Sequence, residues 1–314
     1  MGTLQCQFDE IVFPTSRVNA MNEVTDHPDC DALIIGTEEP FSAEILSQLP
    51  RLKVIGTIAT GTDNINMEAL ARRRIKLVTA YGINAPFVAE HALGMMLALA
   101  KALPGGQEAC RTGRERDGLS IKPISLLNST IGIIGAGNIA KELATRLRSF
   151  GPKQFHFWTK HPEAHAEITQ FGTFEPLETL MQRSQFVSLN IALTPETKEL
   201  ITYDLIKSMP ENAVLINTSR AGIVSMTGLE RAMQERPDIR FGIDATGMRE
   251  FNFLYTESNK DRVLTSPHAA AVPAISEMRR YVANNVIKEV RSLGLCPETI
   301  KPEIIKIGPT GAAL

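Results

Sequence analysis

Residues 130–150, TIGIIGAGNIAKELATRLRSF, constrain the fold more than any other stretch of the chain. An apolar β-branched run, Ile131, Ile133 and Ile134, reads as a buried strand. It breaks at Gly135-Ala136-Gly137, after which Ile139, Leu143, Leu147 and Phe150 recur at helical spacing. In such a strand, turn and helix unit the first glycine lets the chain turn sharply and the second lets a pyrophosphate approach the backbone. The third motif position, here Ala140, must stay small for helix and strand to pack. The helix opens with Asn138 and Ile139, whose unpaired N–H groups and positive dipole end suit a phosphorylated guest. The context points to a dinucleotide, against the plainer reading of a glycine-rich strand-to-helix turn.

The 314 residues are ample for two domains, and 43% apolar content with a net charge of −2 describes a globular chain. No field of one sign suggests nucleic acid or an anionic membrane, so the expected partner is a small molecule. The opening MGTLQCQFDEIVF has no basic region followed by an apolar core, and no run is long enough to span a bilayer. Cys6, Cys30, Cys110 and Cys296 lack CxxC or ligand spacing and read as reduced packing residues, which suggests a cytoplasmic protein. The six histidines also lack metal-ligand spacing, so no metal is expected.

Short strands are predicted at 11–13, 32–35, 52–58 and 75–79, with helices through Ile45 and Leu49 and near 66–73. The loop Ala59-Thr60-Gly61-Thr62 can present backbone N–H groups to an anion. Arg72-Arg73-Arg74, at a helix end, reads as a solvated face rather than a phosphate site. From Ala85, VAEHALGMMLALAKAL is apolar almost all round and marks a buried helix that could bridge two domains. Pro104-Gly105-Gly106 is expected to end it, with Arg111 to Ser120 as an exposed connection. Strands are predicted near 154–158, 172–174, 186–190, 213–217, 240–243 and 263–265, with helices between them and a last long helix near 275–293. This alternation describes an α/β protein with a doubly wound parallel sheet that gathers ligands at the carboxyl ends of its strands.

Several ordered strings, LKVIGTIATGTDNI, NAPFVAEHALGMMLAL, IGIIGAGNIA, LTPETKELI, INTSRAGIV and SPHAA, resemble the D-isomer-specific 2-hydroxyacid dehydrogenases over about residues 32–293. The resemblance implies a nucleotide-binding domain at 101–282 inserted into a smaller flavodoxin-like substrate domain made of 1–100 and 283–314, with the active site in the cleft. It also implies that Arg220 holds the substrate carboxylate and carbonyl, as a guanidinium at the end of a sheet strand can do bidentately. His268 in SPHAA corresponds to the family's acid/base, and a surface salt bridge and a structural histidine are the plainer readings of the two side chains. Thr60 and Gly61 correspond to the loop that binds the substrate carboxylate, and Asp244 to the acid contacting the nicotinamide end of the cofactor. A homodimer is implied by the resemblance alone.

Three departures shape the expectations. The family's glutamate that pairs with the histidine falls at Arg249 by counting. Glu250 stands one step beyond in a shortened segment and is expected to serve, with Glu257 a second candidate. After strand 154–158 no carboxylate occupies the slot that would read the ribose hydroxyl of NAD. Thr159 and Lys160 stand there instead, favouring NADP(H) over NAD(H), against a solvated turn lysine. Thr37-Glu38-Glu39 would repel a phosphorylated acid, so a small unphosphorylated 2-oxo acid such as glyoxylate or hydroxypyruvate is the expected substrate. The competing class is a corepressor-type scaffold that binds nucleotide without turnover, which the same fold also supports.

Overall fold

A computed structural model describes residues 26–36, 41–114, 119–244 and 252–295. The elements, in chain order, are β1 (Ala32–Ile35), α1 (Ala43–Ser47), β2 (Val54–Thr57), α2 (Met67–Arg73), β3 (Lys76–Thr79), α3 (Ala85–Ala100) and α4 (Leu103–Arg111). Then follow β4 (Thr130–Ile134), α5 (Asn138–Leu147), β5 (Gln154–Trp158), β6 (Thr173–Phe174), α6 (Leu177–Arg183), β7 (Phe186–Leu189), α7 (Tyr203–Lys207) and β8 (Val214–Asn217). The chain closes with α8 (Met226–Glu235), β9 (Arg240–Asp244), β10 (Val263–Ser266) and α9 (Ile275–Ser292). The predicted strand at 11–13 lies outside the described residues.

Two compact units result, Met1–Asn84 with Ala274–Leu314, and Ala85–Pro273. The first holds a parallel sheet in the order β1-β2-β3, with α9 packed across all three strands. Gly56 makes that packing possible: a Cβ there would sit 2.6 Å from Val286 Cγ2 and 2.7 Å from Val282 Cγ1. Arg73 corrects the expectation of a solvated arginine run. Its guanidinium turns inward and donates to the carbonyls of Leu46, Leu49 (2.6 Å) and Pro50 (2.9 Å), capping the end of α1.

The second unit is a seven-stranded parallel sheet in the order β10-β9-β8-β7-β4-β5-β6. Both faces are buried, so the strands read as apolar runs. Ile131, Ile133, Val214 and Ile216 pack with α3 and α5 on one side, while Ile134, Val187, Leu215 and Ile243 pack with α6 and α8 on the other. The boundaries at 84/85 and 273/274 differ from the expected 100 and 282, because α3 packs on α5, β8 and β9, and α9 belongs from its first residue with β1–β3. Pro104-Gly105-Gly106 does not end the helical region either. The break is at Ala102, with φ of 51°, and Pro104 sits in the first turn of α4, where its missing N–H costs nothing.

Two fully or nearly buried arginines, Arg240 and Arg262, lock this unit. Arg240 donates to the carbonyls of Leu99 (2.7 Å), Ala100 (3.3 Å) and Lys122 (2.5 Å), and Arg262 to those of Met233 (2.6 Å), Arg236 (3.2 Å) and Ile239 (3.2 Å). Each guanidinium thereby satisfies carbonyls at the end of a helix, where a cation is also favoured by the dipole. Desolvation lowers the pKa of both.

Candidate active site

The strand order reverses at β4, which lies between β5 and β7, and the glycine turn sits at that point. Gly135 donates its N–H to Trp158 O (2.7 Å), while Asn190 N–H donates to Ile134 O (2.7 Å), so the segments following β5 and β7 close on the turn from both sides. Gly135 is required by the fold: its φ is 113°, and a Cβ would lie 2.2 Å from Asn190 O. Gly137 is not required in this way. Its φ of −79° suits any residue, and a Cβ would meet nothing within 4 Å. Gly137 caps α5 without a side-chain hydrogen bond, and Asn138 and Ile139 open the helix beside that open space. Ala140 is fully buried at the helix-to-sheet contact. The cradle therefore fits a pyrophosphate, which would take the space a Cβ would otherwise narrow. Beyond β5, Thr159 is half-buried and Lys160 exposed; the Lys160 charge is a minor contributor to the lowered pKa of Glu196, after the Thr194 hydroxyl and a backbone hydrogen bond.

At the same end of the sheet, β8, β9 and β10 deliver Asn217, Asp244 and Ser266, with Asn217 in register with Ile243 and Asp244 with Ser266. Asn217 is buried and closes the following turn with both ends of its amide. Its Oδ1 accepts from Ser219 N–H (2.9 Å) and its Nδ2 donates to Arg220 O (2.9 Å). Ser219 Oγ donates to Leu189 O (2.8 Å), tying the turn to β7. Arg220 emerges half-buried and extended from this frame, with one guanidinium N–H on Ser219 O (3.1 Å). Beside it Thr218 Oγ1 is buried with no hydrogen-bond partner.

His268 is held through its backbone and its ring. Its φ is 54°, in the left-handed region that β-carbons disfavour, and its N–H donates to Ser266 O (2.9 Å). The ring Nδ1 lies 3.3 Å from Asp244 O, and because a carbonyl only accepts, Nδ1 carries the proton. The Asp244 carboxylate is fully buried. Its Oδ1 accepts from Ser266 Oγ (2.5 Å) and Ala269 N–H (2.7 Å), its Oδ2 from Ala270 N–H (2.9 Å). Asp244 thus faces inward and organises the loop that carries His268. His91 of α3 adds a contact from Nε2 to Ser266 Oγ (2.9 Å), with Asp244 Oδ1 3.9 Å away.

In the first unit, Thr60 and Gly61 follow β2. Thr57 Oγ1 accepts from Ala59 N–H (3.1 Å) and donates to Gly36 O (3.0 Å), bracing the loop at its start. Thr60 Oγ1 is buried with no hydrogen-bond partner, as is Asn84 Oδ1.

The family model for the D-isomer specific 2-hydroxyacid dehydrogenase NAD binding domain matches residues 93–270, more than half of the chain. The chain belongs to this family. A glyoxylate reductase of Pyrococcus furiosus is 30% identical over 293 residues, covering 90% of this chain and 86% of its own. A hydroxypyruvate reductase of Thermotoga maritima is 29% identical, covering 85% of this chain and 86% of its own. The structure of a D-lactate dehydrogenase from Aquifex aeolicus superposes with a TM-score of 0.74 at 24% identity, covering 88% of this chain and 86% of that one.

As a member of the D-2-hydroxyacid dehydrogenases the chain is an oxidoreductase with a nicotinamide-binding domain. Among the described residues no single helix is long and apolar enough to cross a membrane. Glu250 lies outside the described residues, as does Thr37-Glu38-Glu39. The second carboxylate candidate, Glu257, is exposed and ion-paired with Lys260. His91, Ser266 and Asn217 were missed in the sequence. The first two stand inside the strings AEHALG and SPHAA, yet nothing local shows that helix and strand end meet.

Proposed function

We propose that the chain reduces small unphosphorylated 2-oxo acids, such as glyoxylate or hydroxypyruvate, to D-2-hydroxy acids, with NADP(H) preferred over NAD(H). The observation that carries this reading is the commitment of His268 Nδ1–H to Asp244 O, which leaves Nε2 as the ring atom that exchanges a proton. In the protonated ring, Nε2–H supplies the proton that the carbonyl oxygen needs as C2 is reduced; in the reverse direction neutral Nε2 takes the hydroxyl proton. Arg220 grips the carboxylate and carbonyl together and orients C2. Thr60 and Gly61 bind the carboxylate through backbone N–H groups and the Thr60 hydroxyl, which supports this role by being buried without a partner. Gly135, Gly137, Asn138 and Ile139 would hold the pyrophosphate, and Thr159 and Lys160 the 2′-phosphate of the adenosine ribose. The bound nicotinamide supplies the hydride. In this reading the seven-stranded unit is the nucleotide domain and the three-stranded unit the substrate domain, and the active form is a homodimer.

The test is oxidation of NADPH and NADH, followed by near-ultraviolet absorbance, against a panel of 2-oxo acids. Turnover of glyoxylate or hydroxypyruvate is expected, with kcat/KM higher for NADPH, and Lys160→Ala should lower that ratio about tenfold. Nucleotide binding with no turnover of any acid overturns the reductase reading in favour of a scaffold. Equal KM values for the two nucleotides overturn the NADP(H) preference.

A further inference from the structure

We propose that His91 is a positioning residue for His268, acting through Ser266 and Asp244; the consequence for catalysis rests on the reductase reading above. Hydrogen accounting gives the direction of the chain. Ser266 Oγ carries one proton, and the Asp244 carboxylate 2.5 Å away can only accept it. The 2.9 Å contact between Ser266 Oγ and His91 is therefore made by a proton on His91 Nε2. The line runs from His91 Nε2–H to Ser266 Oγ–H to Asp244 Oδ1, and the same aspartate receives Ala269 N–H and Ala270 N–H on its carboxylate and His268 Nδ1–H on its carbonyl.

The far end of this line is fixed independently of the loop. His91 stands on α3 beside Ala92 and Met95, which belong to the buried core of the unit. The near end holds a non-glycine residue at positive φ, a conformation that persists where its surroundings determine it. Removing the His91 donor frees the Ser266 hydroxyl to rotate and loosens the orientation of the carboxylate. The effect on the loop is a spread of His268 ring positions and tautomers, without loss of the fold.

The experiment compares wild type, His91→Leu, His91→Gln and Ser266→Ala. Glutamine retains an N–H donor near the position of Nε2, whereas leucine fills the space without one. Steady-state kinetics with NADPH and glyoxylate are paired with long-range proton–nitrogen spectra that report imidazole tautomers. Wild type should show His268 protonated at Nδ1 and His91 at Nε2. His91→Leu should lose about 10- to 100-fold in kcat with KM changed less than about threefold, and its His268 should become a tautomer mixture. His91→Gln should restore kcat to within about threefold of wild type, and Ser266→Ala should itself lose about 10- to 100-fold in kcat, which tests the chain of contacts even if the leucine variant does not fold. Retention of wild-type kcat by both His91→Leu and Ser266→Ala, equal damage from glutamine and leucine, or a wild-type His268 protonated at Nε2 overturns the proposal. A wild type that reduces no 2-oxo acid overturns the reductase reading instead, and the tautomer spectra still decide the positioning chain.

Discussion

The turn after β8 and the loop after β10 solve the same problem with opposite chemistry. Each presents one candidate side chain, Arg220 or His268, from the carboxyl end of the same sheet, and each is braced by one buried polar residue. Asn217 braces the arginine turn with a neutral amide that donates to one backbone group and accepts from another. Asp244 braces the histidine loop with a carboxylate that accepts from two backbone N–H groups and a hydroxyl. On the proposed roles, a carboxylate brace in the Arg220 turn would compete with an anionic substrate for the guanidinium, whereas a carboxylate in the histidine loop orders its N–H donors while the backbone carbonyl of Asp244 fixes the imidazole. The brace of the arginine turn is thus a neutral amide and that of the histidine loop a charged carboxylate.

The largest effect should come from removing the presented side chain rather than its brace. Arg220→Lys keeps the charge but loses the planar fork, and kcat/KM should fall about 10³-fold with the melting temperature unchanged. A loss below about tenfold in steady-state kinetics would show that the guanidinium geometry is not what the turn is built to present. Next in size is Asp244→Asn. Either amide orientation sets an N–H₂ group against the N–H of Ala269 or Ala270, so a buried donor is left facing a donor. The variant should lose about 100-fold in kcat and roughly 1–3 kcal/mol of stability in urea melts. Wild-type kcat in this variant would mean that the carboxylate contributes packing alone.

The strands were legible because a parallel sheet buried on both faces needs continuous β-branched runs, and Ile131, Ile133 and Ile134 form one. Gly135 and Gly137 were legible as a motif, but only the folded structure separates the glycine that Asn190 O demands from the one left open. What could not be read are features decided by distant partners. Gly105 lies within α4, and a Cβ there would sit 3.0 Å from Asp261 Cγ, a contact no local rule contains, so Pro104-Gly105-Gly106 reads as a stop signal. Arg73 reads as solvated until α1 ends beside it. His91 and Ser266 are 175 positions apart, and apolar periodicity explains the helix around His91 without giving its ring a task.

The smallest of these effects, and the one that sharpens the comparison most, is expected from giving the arginine turn the other loop's brace. In Asn217→Asp, one carboxylate oxygen still accepts Ser219 N–H, but the other faces Arg220 O, where wild type has an N–H donor 2.9 Å away. Two acceptors then oppose each other in a buried place, and a negative charge is added within the turn that carries the guanidinium. Both changes weaken the hold on an anionic acid before they touch proton transfer. KM for glyoxylate should therefore rise about tenfold while kcat falls less than about threefold, the reverse of the pattern expected for Asp244→Asn. Steady-state kinetics of the two variants at one nucleotide concentration decide it. If both lower kcat equally and leave KM alone, the two braces serve the same step, and the division between a substrate-holding turn and a proton-transfer loop is lost.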